Sequence, residues 1–109
     1  MRNLFADIPE NRRDEFIETI VKSSTFYVER IVSRGHCSPA GFWYDQDDHE
    51  WVILLKGSAG LRFEGQDDLF VLNPGDHLHI GRHQRHRVEW TDPEQSTLWL
   101  AVHYRDPDP

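Results

Sequence analysis

Along most of this chain, apolar and polar positions alternate in short blocks separated by turn-forming residues. Phe26 to Ser33 is rich in β-branched and aromatic residues, and Gly35 and Pro39 punctuate the segment after it. Trp51-Val52-Ile53-Leu54-Leu55 is apolar throughout, the pattern of a strand covered on both faces. Ala59 to Glu64 alternates, with Leu61 and Phe63 on one face. Leu69 to Leu72 runs into Asn73-Pro74-Gly75, a strong turn signal. Asp76 to Ile80 alternates again, followed by His86 to Trp90 and Thr97 to Tyr104. Short strands at this spacing predict an antiparallel sandwich or barrel. The first third reads differently. Phe16, Ile17, Ile20 and Val21 recur at helical spacing among Arg12, Arg13, Glu15 and Lys22, and Pro9 suits a first helical turn. This predicts one amphipathic helix over residues 9–22, ended by Ser23-Ser24. The final Arg105-Asp106-Pro107-Asp108-Pro109 reads as a loose tail.

Composition narrows the function classes. A length of 109 residues suits a single domain over 1–109 with one modest core. Hydrophobic residues at 38% and aromatics at 12% mark a folded chain. A net charge of −7 argues against nucleic acid, which needs a basic surface. The one cysteine, Cys37, rules out an internal disulfide and suits a reducing compartment. The N-terminus carries no long apolar run and nothing approaches a membrane span, so a cytoplasmic protein is expected.

Two motif fragments stand out: Glu50-x6-Gly57, and Gly75 with His86. With the strand order from about Phe26 to Tyr104 they resemble the cupin family, in particular its small single-domain bacterial members of the conserved-barrel type. Phe42-Trp43-Tyr44-Asp45-Gln46 with His83-x-x-His86-Arg87-Val88 is similar to one subgroup of these. The resemblance implies an all-β fold, a cupin-like double-stranded β-helix or jelly-roll barrel, here with the short N-terminal helix. It also implies a metal held by two histidines and the glutamate of the first motif and the histidine of the second. Glu50 and His86 occupy two of those places. A three-residue spacer before Glu50 puts Tyr44 and Gln46 where the histidines belong, and a four-residue spacer puts Trp43 and Asp45 there. Counting forward from Gly35 lands on Gly41 and Trp43 instead. In the second motif Gly81 replaces the proline, His83 the second glycine and Trp90 the closing asparagine.

Alternation gives the faces independently of the resemblance. Val52 and Leu54 share the side of Glu50, and Val88 and Trp90 share the side of His86. Lined by such neighbours, a charged carboxylate needs a partner or a metal. A Glu50–His86 contact meets that need, and so does one divalent cation. His83, three residues before His86, can join either arrangement. A mixed N/O set of Gln46 or Asp45 with Glu50, His83 and His86 suits Fe, Mn, Ni or Zn. Tyr44 is expected to line the pocket.

The remaining polar residues read more simply. His77 and His79 lie opposite Leu78 and Ile80 and are expected at the surface. His103 shares a face with Trp99 and Ala101 and reads as structural. Asp47-Asp48 lacks the spacing and glycine of a calcium loop. Arg82, Arg85 and Arg87 either balance an acidic surface or attract an anionic substrate. Trp51, Ile53 and Leu55, opposite Glu50, are as apolar as the inner face, which predicts an interface and a homodimer. These features leave two function classes: a metal-dependent oxygenase, isomerase or lyase acting on a small organic molecule, and a non-catalytic small-molecule binding or sensing domain.

Overall fold

A computed structural model describes residues 1–9 and 13–107. The described residues form eight strands and no helix: β1 (Phe16–Lys22), β2 (Phe26–Ser33), β3 (His49–Lys56), β4 (Ala59–Phe63), β5 (Leu69–Leu72), β6 (His77–Ile80), β7 (His86–Thr91) and β8 (Thr97–Tyr104). A five-stranded sheet runs β1-β2-β8-β3-β6 and a three-stranded sheet runs β5-β4-β7, with every pairing antiparallel. This is the architecture expected of a jelly-roll barrel.

The N-terminal helix is not there. Its apolar stripe lies in β1, which pairs with β2 in the register Ile17↔Ile31 and Glu18↔Arg30. Ile17, Thr19, Ile20 and Val21 are β-branched and fit a pleated surface, so the strand wins once β2 offers a ladder. The register shifts between Thr19 and Val21, and that bulge breaks the alternation which would have marked a strand. Residues 10–12 of the expected helix lie outside the described residues.

Between the sheets, Val52, Leu54, Ala59, Leu61, Phe63, Leu72, Ile80, Trp99 and Ala101 are buried as one cluster. Each large side chain removed from water there contributes roughly 1.5–3 kcal/mol. Alternation sends Val52 and Leu54 inward with Glu50, as expected. Trp90 departs from its expected side. A register shift in β7 pairs Val88 with Leu61 but Trp90 with Gly60, so Trp90 lies on the face away from His86. Gly60 accommodates it, because a Cβ there would meet the indole ring.

Asn73-Pro74-Gly75 makes the expected turn. The Asp76 amide donates to the Asn73 carbonyl at 2.9 Å, and the Asn73 amide donates to the Asp76 carboxylate at 2.8 Å. The outer face of β2 carries a buried cation. Arg30 donates to the carbonyls of Leu4 (3.2 Å), Ala6 (2.7 Å) and Asp7 (3.3 Å) and pairs with Glu18, which pins the N-terminal segment to the sheet. No helix among the described residues is long and apolar enough to cross a membrane.

Candidate functional site

The inner faces of the two sheets do not close completely. They leave a pocket lined by side chains from both, together with Tyr44 and Gln46 from the segment before β3. Glu50 and His86 are placed by strands and Tyr44 by a bridge. Glu50 sits at the start of β3, opposite Ile80 of β6 and His103 of β8. His86 opens β7 opposite Phe63 and is bridged on its other side to Tyr44, with backbone bonds of 2.7 and 3.1 Å. The Tyr44 ring stacks on the His86 imidazole at 5.4 Å between centroids.

Glu50 is 7% exposed and His86 4%. His86 Nδ1 lies 2.9 Å from the Gln84 carbonyl and can only donate to it, so in the neutral ring Nε2 keeps its lone pair. Nε2 then faces Glu50 Oε1 across 3.9 Å, which is too long for a hydrogen bond. Burial pushes the Glu50 carboxyl above its ordinary range, opposed by the charges of His103 and His86 and by a hydrogen bond from Gln46, while the Glu29 charge reinforces it. Gln46 Oε1 is buried and has no hydrogen-bond partner among the described residues. Burial also raises the Tyr44 phenol, with the charges of Glu15 and Glu50 adding to it.

Of the expected site residues, Tyr44, Gln46, Glu50 and His86 share this pocket and His83 does not. His83 lies on a surface turn, its Nδ1 2.7 Å from Asp45 Oδ1 and its Nε2 3.5 Å from Asp47 Oδ1. Its amide donates to the Gln46 carbonyl at 2.7 Å, so it latches the segment that carries Gln46. His83 takes φ +59°, the left-handed region that glycine occupies most easily, which accounts for the motif's preference at that position. Gly81, in place of the motif's proline, uses an amide that proline lacks and donates to Gln84 Oε1 at 2.9 Å. Asp45 turns outward to His83, which leaves Gln46 as the residue facing the site.

Three wall residues escaped the sequence reading. His103 faces Glu50 across the β3–β8 ladder, and its Nε2 lies 2.9 Å from Glu29 Oε1. Tyr27 stacks on its ring at 4.4 Å. Burial alone would lower the His103 pKa, but the Glu29 hydrogen bond and the charges of Glu50, Glu29 and Asp48 raise it. The shared face of His103 with Trp99 and Ala101 was a signal that it points inward. The Glu29 partnership depends on strand order and carried no signal. Glu15, held by the Ser33 hydroxyl, fell within the expected helix.

The arginine cluster stays outside the pocket. Arg87 donates to the carbonyls of Ser38, Pro39 and Phe42 and pairs with Glu89, while Arg85 pairs with Glu64. Arg82 borders a separate surface depression with Asp47 and Asp48.

Among the described residues, no three His, Cys, Asp or Glu side chains gather as a metal site. A cation here would therefore draw on the carboxamide as well. His86 Nε2, Glu50 Oε1 and the unpartnered Gln46 Oε1 make a mixed N/O donor set, and that set fits a divalent metal.

No protein-family model matches the chain, and no curated protein matches it by sequence. Solved structures do match. A Ralstonia eutropha JMP134 protein, provisionally named a mannose-6-phosphate isomerase, is 46% identical, with 97% of this chain and 98% of that chain covered at a TM-score of 0.94. A cupin superfamily protein of Desulfitobacterium hafniense DCB-2 is 16% identical, with 91% and 84% covered at 0.73. The polyketide cyclase RemF of Streptomyces resistomycificus is 20% identical, with 89% and 69% covered at 0.72. The last two likenesses concern the fold alone.

Proposed function

The chain has the cupin fold, and we propose that its pocket holds a divalent metal and acts on a small organic molecule. The observation that carries this reading is the meeting of Glu50 Oε1 and His86 Nε2 across 3.9 Å, with the buried, unpartnered Gln46 Oε1 in the same wall. Glu50, His86 and Gln46 would hold the metal, which when bound supplies a Lewis acid for a ligand oxygen. The chain's own residues do the rest. Gln84 fixes the His86 tautomer through Nδ1, so Nε2 is presented to the pocket. The latch from His83 to the Gln46 backbone carbonyl holds the segment that carries the carboxamide. Tyr44 covers the His86 ring and narrows access to it. The apolar walls keep water away from whatever sits against Val52, Leu61 and Trp99. The provisional name of the Ralstonia protein describes chemistry on a small organic molecule, the class of reaction proposed here.

A second reading has its own support. Burial raises the Glu50 pKa, and among the described residues one imidazole stands within 4 Å of its carboxylate, which favours a protonated Glu50 lining a metal-free binding or sensing pocket. Metal content separates the two. Protein purified without chelator and reconstituted with Fe, Mn, Ni or Zn is expected to hold about one equivalent by elemental analysis. Glu50→Gln and His86→Ala should each lose it while keeping the circular dichroism of the fold. A wild-type protein that retains no metal after reconstitution would leave the binding reading standing alone.

A further inference from the structure

A buried side-chain nitrogen or oxygen that makes no hydrogen bond costs free energy, so folded chains leave few of them. Among the described residues these atoms are Nε of Arg30, Arg62 and Arg87, Oε1 of Gln46, Nε1 of Trp99 and Nδ1 of His103. The three guanidinium nitrogens face carboxylates, Arg30 that of Glu18, and Arg62 and Arg87 that of Glu89. The other three atoms belong to residues that line one pocket. Gln46 Oε1 is accounted for by the proposed metal. Trp99 and His103 have no part in that metal site, and they are 4% and 5% exposed. A buried indole N–H ordinarily finds a partner. This one has none among the described residues.

Trp99 and His103 share one face of β8, with Ala101 between them, and a strand's rise sets their Cα atoms about 13 Å apart. Val52 faces Ala101 across the β3–β8 ladder, and Ile31 and Leu61 extend the apolar wall. His103 Nε2 donates to the Glu29 carboxylate at 2.9 Å, which leaves Nδ1 as its open position. That nitrogen accepts in the imidazole and donates in the imidazolium, and a hydroxyl answers either form. The indole N–H can only donate, so Trp99 calls for an oxygen acceptor. Among the described residues no lysine or arginine lines the pocket, so no fixed cation awaits an anionic head. We propose that the ligand is a neutral molecule with an oxygen at each end of an apolar body. One oxygen accepts from Trp99 Nε1, and the other, a hydroxyl, binds at His103 Nδ1. This inference rests on the reading of the pocket as a ligand site, and it needs neither the metal nor a particular charge on Glu50 or His86.

The test compares straight-chain diols with a hydroxyl at each end (butanediol, hexanediol and octanediol) with butanol, hexanol and octanol. Binding is followed by NMR in chelator-treated and in zinc-loaded protein, with the Trp99 indole N–H signal assigned through nuclear Overhauser contacts. Hydrophobic burial alone ranks each alcohol above its diol, because the second hydroxyl has to leave water. The proposed contacts reverse that order. At least one diol is expected to bind about threefold or more tightly than its alcohol and to move the Trp99 indole signal downfield. Trp99→Phe and His103→Phe should each return the lead to the alcohol. The inference is overturned if every alcohol binds as tightly as its diol, or if no diol moves the indole signal at millimolar concentration. A folded His103→Phe that keeps the diol preference also overturns it. The wild-type ranking and the indole shift decide the matter even where a variant fails to fold. Alcohols that bind in the pocket without a diol preference would sink this inference and leave the ligand-site reading intact. A diol preference in protein unable to take up zinc would sink the metal reading and leave this one intact.

Discussion

Single residues set the electrostatics of the pocket, and His103 shows how. Two opposing effects act on it. Burial disfavours the imidazolium, while the Glu29 hydrogen bond and the surrounding carboxylates favour it, and the second group wins. The folded pKa therefore lies above the ordinary 6.5. A raised pKa in the folded state contributes stability that is complete below the unfolded value and fades as pH rises through the folded one. Glu29→Gln removes the main favourable partner while the charges of Glu50 and Asp48 remain, so the pKa of His103 should fall from its wild-type value. An NMR titration of the His103 ring protons in wild type and variant checks this, and an unchanged or higher midpoint in the variant would contradict it. Glu50 and His86 were legible in the sequence because each breaks an apolar alternation. Glu29 was not, since its partner lies 74 residues away and only the β2–β8 register brings them together.

At the scale of elements, the turns and strand breaks hold the register. Gly57 follows β3 with φ +88°, and a Cβ there would come within 2.7 Å of the Thr97 backbone at the start of β8. Both constraints demand glycine, one by backbone conformation and one by close approach of two strands. Gly57→Ala is expected to cost about 2 kcal/mol or more, summing left-handed strain with overpacking. Chemical denaturation measures this, and a loss of only a few tenths would show that β3 and β8 can separate without penalty. Leu69–Leu72 and Thr97–Tyr104 match their expected bounds, because their patterns are uninterrupted and flanked by turn residues. The expected helix and the side assigned to Trp90 both failed at a bulge. A bulge adds one residue to one strand, and only the partner strand reveals it.

For the whole molecule, the open question is what meets the outer faces. Trp51, Ile53 and Leu55 are half-buried rather than bare, and Trp51 Nε1 donates to His77 Nδ1 at 3.2 Å. Large apolar side chains stand exposed elsewhere, as Ile20 and Val21 on the edge strand β1 and Phe70 and Val71 on the edge strand β5. Bare edges of this kind invite strand pairing or a second subunit. We propose a homodimer, expected at about twice the 12.9 kDa chain mass by light scattering at micromolar concentration. A monodisperse monomer under those conditions would remove the proposal. Local pattern was enough to establish most strand positions after the N-terminal segment and the inward aim of Glu50 and His86, because alternation is a property of neighbours along the chain. The edge strand at the N-terminus, the exclusion of His83 and the arginines from the pocket, and the recruitment of Glu15, Glu29 and His103 into it had to await folding. Each depends on which strand lies beside which, and that is settled by pairing between residues far apart in sequence.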